Sequence, residues 1–277
     1  MQQGFRRRLH SLLRRFGPVH ILRAPQGDLI IDALRSKDIA TVLEVGAGSA
    51  ARGSQILALL PNVKRYYALD RASTFNRSVQ GMLRLRGDAL SLPLKEESCD
   101  AILYESVFPY FASSLAPALS EARRVLRRDG TLVTTFTADH ILLRAWARLL
   151  ARVPVMPRAP TYDAMLASVA AFYSSEVATL EETGVLRHLT NAGFHVHTSE
   201  TCPGYIISLV YDLLLALRPG RFLHRAVNTL APVAKQVDRG ERFLFPNRNG
   251  NEIVIVAHKQ GASQCALSET SLCTQTE

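Results

Sequence analysis

Between residues 41 and 136 short apolar strands alternate with helices, and most of the strands run into a glycine or an acid. Thr41-Val-Leu-Glu-Val45 reads as a strand leading straight into Gly46-Ala-Gly48, and residues 51–60 as a helix stopped by Pro61. A second strand covers 65–69 and ends in Asp70; a third runs from Leu83 to Arg86 ahead of Gly87-Asp88; a fourth covers 99–104. A helix over 115–127 then turns through Asp129-Gly130 into a fifth strand, 131–136. Connections of this length are crossovers, so the spacing predicts an α/β chain with a Rossmann-like, mostly parallel sheet covered by helices on both faces. The rhythm returns with a helix ending at Asn191-Ala-Gly193, a strand from Phe194 to Thr198, and a last strand from Asn251 to His258. That makes seven strands. No helical crossover joins the last two, which suits an antiparallel pair at the sheet edge.

The rest of the chain is arranged around this core. Residues 1–37 read as a basic helical cap: an amphipathic helix, a Gly17-Pro18 break, and a second helix from about Asp28 to Leu34. The core domain is expected over 38–259, with helical insertions at about 138–175 and 203–248 that form a lid. Residues 260–277 are polar and carry few structure signals, as in a disordered tail.

Composition excludes several classes. With 47% hydrophobic and 21% charged residues the chain is globular. Its net charge of +9 is uneven: residues 1–27 hold six arginines and no acid, leaving +3 for the other 250 residues. A globally basic nucleic-acid binder is a poor match. The four cysteines show no CxxC pair and no metal-ligand spacing, so they read as reduced thiols of a cytoplasmic protein. The most apolar run, Tyr205 to Leu217, is 13 residues long and contains Asp212, whereas crossing a bilayer takes roughly 20. Arg14 and Arg15 interrupt any apolar region near the N-terminus, which argues against a secretory signal. An organellar transit peptide is the alternative reading of that segment.

Gly46-Ala47-Gly48, between a strand and a helix, is a nucleotide-cofactor loop, because glycines let the backbone approach a ligand and the helix start offers free N–H groups. The pattern fits both a dinucleotide and S-adenosylmethionine. Glu44 helps to decide. A dinucleotide brings a pyrophosphate to this loop, and a carboxylate within 4 Å would oppose it by about 4 kcal/mol per charge pair at an effective dielectric near 20. S-adenosylmethionine brings an ammonium and a sulfonium instead. Asp70, at the end of the second strand, is placed to accept from two ribose hydroxyls. Asp88 after the third strand can accept from an adenine amino group, and Glu105 ends the fourth. All four acids fall at the carboxyl edge of a parallel sheet, where ligands bind in open α/β folds.

Val42-Leu-Glu-Val-Gly-Ala-Gly48, Ala68-Leu-Asp70, Gly87-Asp-Ala-Leu-Ser-Leu-Pro93, Cys99-Asp-Ala-Ile-Leu103 and Glu121-Ala-Arg-Arg-Val-Leu-Arg-Arg-Asp-Gly-Thr-Leu132 resemble the successive motifs of class I S-adenosylmethionine-dependent methyltransferases. The likeness is nearest to the branch of ubiquinone and menaquinone biosynthesis enzymes and small-molecule methyltransferases. It covers about 40–136 and resumes at Leu186 to Val196 and 252–258. The resemblance implies that Glu44, Gly46, Ala47 and Gly48 line the methionine and ribose part, Asp70 holds the ribose, and Asp88 and Ala89 the adenine edge, with Glu105 near the reacting methyl and Arg71 among the cofactor-binding residues. Two departures stand out: Ala50 where the family often has glycine, and Arg128-Asp-Gly130 without the usual proline.

A sulfonium already activates its methyl group, so such an enzyme needs alignment and water exclusion more than a triad or a metal. Glu105 and His140 are the candidate bases for a hydroxyl acceptor. His195 and His197 alternate on one strand without a third ligand, and no metal site is expected. The apolar lid segments, with arginines interspersed, favour methylation at O or C of a small hydrophobic, lipid-like or natural-product acceptor, with peripheral membrane contact through the basic helices as a further option. The rivals are an RNA-directed methyltransferase, a non-catalytic S-adenosylmethionine-binding protein and an NAD(P)-dependent oxidoreductase. No Asn-Pro-Pro-Tyr-like motif follows the fourth strand, which disfavours methylation of a base amino group.

Overall fold

The computed structural model describes residues 19–35, 39–48, 50–71, 80–137, 180–202, 231–244 and 252–260. The expected helix before Gly17, His140, most of both insertions and the polar tail lie outside these residues. The chain divides into two compact units. One comprises Met1–Leu29, Thr137–Thr179 and Thr201–Ile253; the other comprises Ile30–Phe136, Leu180–Glu200 and Val254–Glu277.

The described elements are, in chain order, α1 (Val19–Arg35), β1 (Thr41–Val45), α2 (Ala51–Leu59), β2 (Arg65–Asp70), β3 (Met82–Arg86), β4 (Cys99–Glu105), a 3-10 turn (Phe108–Ser114), α3 (Leu115–Val125), β5 (Leu126–Thr137), α4 (Glu182–Asn191), β6 (Phe194–Cys202), α5 (Ala231–Leu244) and β7 (Glu252–Lys259). The seven strands form one sheet in the order β3-β2-β1-β4-β5-β7-β6. β1 pairs in parallel with β2 on one side and with β4 on the other. The chain thus leaves β1 in one direction and later returns to build the other half. In open α/β sheets ligands bind at such a switch point, which here lies outside the carboxyl ends of β1 and β4.

β7 reverses the direction. Its end lies beside the beginning of β5, where Lys259 Nζ donates to the Leu126 carbonyl at 2.6 Å and His258 Nδ1 is 3.4 Å from Thr131 Oγ1. On its other side the Gln260 N–H donates to the Gly193 carbonyl just before β6. The antiparallel last strand expected from the sequence is therefore present.

Burial follows position in the sheet. All five residues of central β1 are buried, Glu44 included, while β6 at the edge alternates between covered and exposed residues. α3 buries Leu115, Ala118, Leu119, Ala122 and Val125, one helical stripe. From the same helix Glu121 accepts the Leu92 N–H, and Arg124 donates to the Leu92 and Leu94 carbonyls while pairing with Glu121. These bonds fasten the segment after β3.

Two boundaries differ from expectation. α1 begins at Val19, not near Asp28, and carries Pro25 inside it; the proline is what made the first turns unreadable as helix. α3 ends at Val125, and β5 starts at Leu126 instead of 131. Cys99 pairs with Leu126 but Ala101 already pairs with Thr131, so the residues between bulge out of the ladder. Asp129 takes φ 59° there, and a Cβ on Gly130 would come within 2.8 Å of the Arg127 carbonyl. The Asp-Gly signal marks a bulge within the strand, not the turn before it.

In the other unit, Asp28 of α1 accepts from Lys235 Nζ of α5 at 2.6 Å, with Arg239 Nη2 at 3.8 Å.

Candidate active site

The glycine loop is shaped by its backbone bonds. Gly46 and Ala47 both donate N–H to the Leu69 carbonyl, at 2.8 and 3.0 Å, which ties the exit of β1 to the end of β2. Gly46 has φ 72°, and a Cβ there would lie 2.6 Å from Val107 Cγ2, so only glycine lets the segment after β4 close over it. Gly48 follows at φ 54° and donates its N–H to Asp70 Oδ2 at 2.8 Å. Ala50 sits at the start of α2 with φ 55° and ψ 32°, the left-handed region. That explains why glycine suits this position; alanine holds it at a cost of roughly 1–2 kcal/mol.

The acids then fall into place. The sheet register puts Glu44 level with Ala68 and Leu103, so by alternation Glu44, Asp70 and Glu105 share one sheet face. Asp70 is the last residue of β2, and its carbonyl accepts the Gly87 N–H, which brings Asp88 alongside. Asp88 Oδ1 accepts the Leu90 N–H at 3.0 Å, and Oδ2 is 3.6 Å from Nε of the exposed Arg71. Ala89 is buried beside it.

Glu44 and Glu105 lie deeper. Glu44 is only 4% exposed and its Oε2 accepts from the Tyr66 hydroxyl at 2.9 Å. Glu105 holds Arg52 in a fork: Nε to Oε2 at 2.9 Å and Nη2 to Oε1 at 2.7 Å, with both side chains 8% exposed. Burial and the Glu44 carboxylate push the Tyr66 phenol well above its ordinary value, so it stays a neutral donor. Burial works against the Arg52 charge, yet the bonds to Glu105 outweigh it and the guanidinium is held more firmly protonated than usual.

The sequence reading missed Arg52 and Tyr66. Arg52 carried a legible signal: a cation in the first turn of a helix opposes the helix dipole and asks for a compensating acid. Nothing in Arg65-Tyr-Tyr-Ala-Leu69 marked which tyrosine would meet Glu44. Of the other candidates, His140 lies outside the described residues. His195 and His197 are exposed on edge strand β6, where the His197 ring packs on His258 at 5.4 Å. Among the described residues no cluster of three metal-ligating side chains occurs.

The donor set can be tested against the two cofactors. Across residues 44–52 the single basic side chain is Arg52, and its fork is taken by Glu105, so a pyrophosphate at this loop would meet the carboxylates of Glu44 and Asp70. A sulfonium and a ribose fit the same set.

Comparison with known proteins agrees. Residues 43–134 match the family model described as a methyltransferase domain. No curated protein matches the chain. Among solved structures, a geranyl diphosphate methyltransferase in complex with S-adenosylmethionine is similar at 15% identity and TM-score 0.56, over 92% of this chain and 90% of that one. A S-adenosylmethionine-dependent methyltransferase from Thermotoga maritima matches at 17% identity and TM-score 0.56, over 93% and 99%. The 4+2 cyclase SpnF matches at 14% identity and TM-score 0.52, over 86% and 80%. At these identities the likeness is one of fold. Residues 43–134 thus match a methyltransferase domain, on a fold that these S-adenosylmethionine-binding and S-adenosylmethionine-dependent methyltransferases share.

Proposed function

We propose that the chain methylates a small, hydrophobic or lipid-like acceptor at oxygen or carbon. The observation that carries this is the carboxylate-lined exit of β1, β2 and β4, where Glu105 holds the Arg52 guanidinium and Asp70 accepts the Gly48 N–H. In this reading Gly46, Ala47 and Gly48 take the methionine part, Asp70 the ribose, and Asp88 with Ala89 the adenine edge. Arg71 flanks Asp88. The bound donor supplies an electrophilic methyl group. The chain's own residues hold donor and acceptor in line, exclude water, and lend negative charge beneath the sulfonium through Glu44 and Glu105. With both of its oxygens on Arg52, Glu105 is an electrostatic element rather than a proton acceptor. His140 remains the candidate base for a hydroxyl nucleophile.

The segments at about 138–175 and 203–248 supply the lid and the specificity, on a core at 38–259 with the basic cap at 1–37 ahead of it, in a cytoplasmic enzyme. The apolar content of those segments supports a hydrophobic acceptor, and the geranyl diphosphate methyltransferase of similar fold supports an isoprenoid one. A place within the quinone-methylating branch is the finer form of the same reading. The cyclase of similar fold shows that this architecture also serves chemistry of another kind.

Methyl-labelled S-adenosylmethionine, incubated with prenyl diphosphates, hydroxylated quinols and bulk RNA, tests the proposal. Label in an organic-soluble product is the expected result. Label in RNA, or none in any acceptor, would overturn it.

A further inference from the structure

Asp88 and Ala89, the residues given to the adenine edge, sit on a turn that follows β3. Gly87 enters it with its N–H on the Asp70 carbonyl, at 3.2 Å. Within the turn the Asp88 carboxylate accepts the Leu90 N–H and the Asp88 carbonyl accepts the Ser91 N–H, at 3.0 and 3.1 Å. Pro93 folds back onto Gly87, where an added Cβ would lie 3.1 Å from Pro93 Cδ. Ala89 and Leu92 are buried, while the Asp88 side chain stays 41% exposed.

The far end of this turn is held by α3. Leu92 donates its N–H to Glu121 Oε2 at 2.8 Å, and its carbonyl accepts from Arg124 Nη2 at 3.0 Å. The Leu94 carbonyl accepts from Arg124 Nη1 at 2.9 Å. Both polar backbone groups of Leu92 are thus taken by one ion pair, in which Arg124 Nε and Nη2 each reach a different oxygen of Glu121 at 2.8 Å. The guanidinium, together with the Leu92 N–H, holds the Glu121 carboxyl below the usual carboxylate range, so it remains an acceptor at neutral pH. Further along, Glu97 and Ser98 donate N–H to the Arg124 and Val125 carbonyls, which lays the segment along the end of α3. The helix is itself fixed by its buried stripe from Leu115 to Val125. The turn that presents Asp88 therefore has a rigid base, and the Glu121–Arg124 pair is the fastening.

We propose that Glu121 and Arg124 are positioning residues for base recognition: acting through the Leu92 backbone, they set the turn so that Asp88 meets the exocyclic amino group of adenine. The proposal rests on the reading of Asp88 as the adenine residue. Calorimetric titration of S-adenosylhomocysteine, and of its analogue with hydrogen in place of that amino group, tests it on the wild type, Arg124→Ala and Glu121→Gln. The wild type should prefer the amino form by about tenfold or more, as a hydrogen bond to a charged acceptor implies. Both variants should lose most of that preference while the affinity for the analogue holds. Amide exchange followed by nuclear magnetic resonance gives a readout that needs no ligand. The N–H groups of Leu90 and Leu92 should exchange faster in the variants, while Leu43 and Ile102 in the sheet keep their protection and show that the variants fold. Glu121→Gln, the milder change, carries the test if Arg124→Ala does not fold. A preference retained in the variants, an equal loss for both ligands, or unchanged exchange at Leu90 overturns the role of the pair. A wild type that binds both ligands equally well overturns the assignment of Asp88 to adenine, and one that binds neither overturns the donor site; this proposal falls with either.

Discussion

Gly48 donates its backbone N–H to Asp70 Oδ2 at 2.8 Å, so the carboxylate assigned to the ribose also anchors the glycine loop. Asp70→Ala removes both roles. A hydrogen bond to a charged group contributes about 1.5–3 kcal/mol, so S-adenosylmethionine affinity is expected to fall by about 10- to 150-fold, with a lower melting temperature. Asp70→Asn keeps an acceptor for Gly48. Its melting temperature should recover further than its affinity, and equal recovery of both would mean that Asp70 acts only through the loop.

Gly46 admits no side chain. Its φ of 72° and the approach of Val107 Cγ2 to 2.6 Å from a would-be Cβ both penalise Gly46→Ala. The backbone contribution is about 1–2 kcal/mol, and overpacking adds about 1–3 kcal/mol. Urea unfolding of Gly46→Ala and of Gly46→Ala/Val107→Ala separates the two. The second change should return the steric part only, leaving the double variant still less stable than Val107→Ala alone.

Two tyrosines are shielded from titration. Burial raises the phenols of Tyr66 and Tyr104, with the charges of Glu44 and Glu121 adding to it. A raised folded-state value means full stabilisation below the unfolded value of 10.0, lost as pH climbs past it, since the unfolded chain ionises first. Ultraviolet titration of the eight tyrosines should therefore leave at least two phenols protonated at pH 11, released only when the chain unfolds.

Cys99 is fully buried, and burial pushes its thiol up to about 11. Iodoacetamide at pH 8 should leave Cys99 unmodified in the native protein, read by mass spectrometry of its peptide, and label it after denaturation. Rapid native labelling would contradict the packing of β4.

What the sequence made legible is what local chemistry dictates. Gly46 and Gly48 sit at positive φ, Asp70 ends β2 and Glu105 ends β4, as the strand-turn pattern required. What stayed hidden depends on meetings across the fold. Arg52 and Glu105 are 53 residues apart in sequence, and Tyr66 meets Glu44 across 22. The sequence places Glu44 at the carboxyl edge of the sheet with the other acids, yet it is only 4% exposed, because β1 is covered on both faces. The bulge at Asp129 was misplaced for a similar reason: its pairing partner is set by β4, not by its own neighbours.

The central claim is that these strand ends hold a sulfonium donor rather than a phosphate-bearing coenzyme. Isothermal calorimetry of the wild type and of Asp88→Ala against S-adenosylmethionine and NAD measures this directly. The account predicts one-to-one binding of S-adenosylmethionine, a clear loss in Asp88→Ala, and no heat with NAD. Tight binding of NAD with none of S-adenosylmethionine would contradict it.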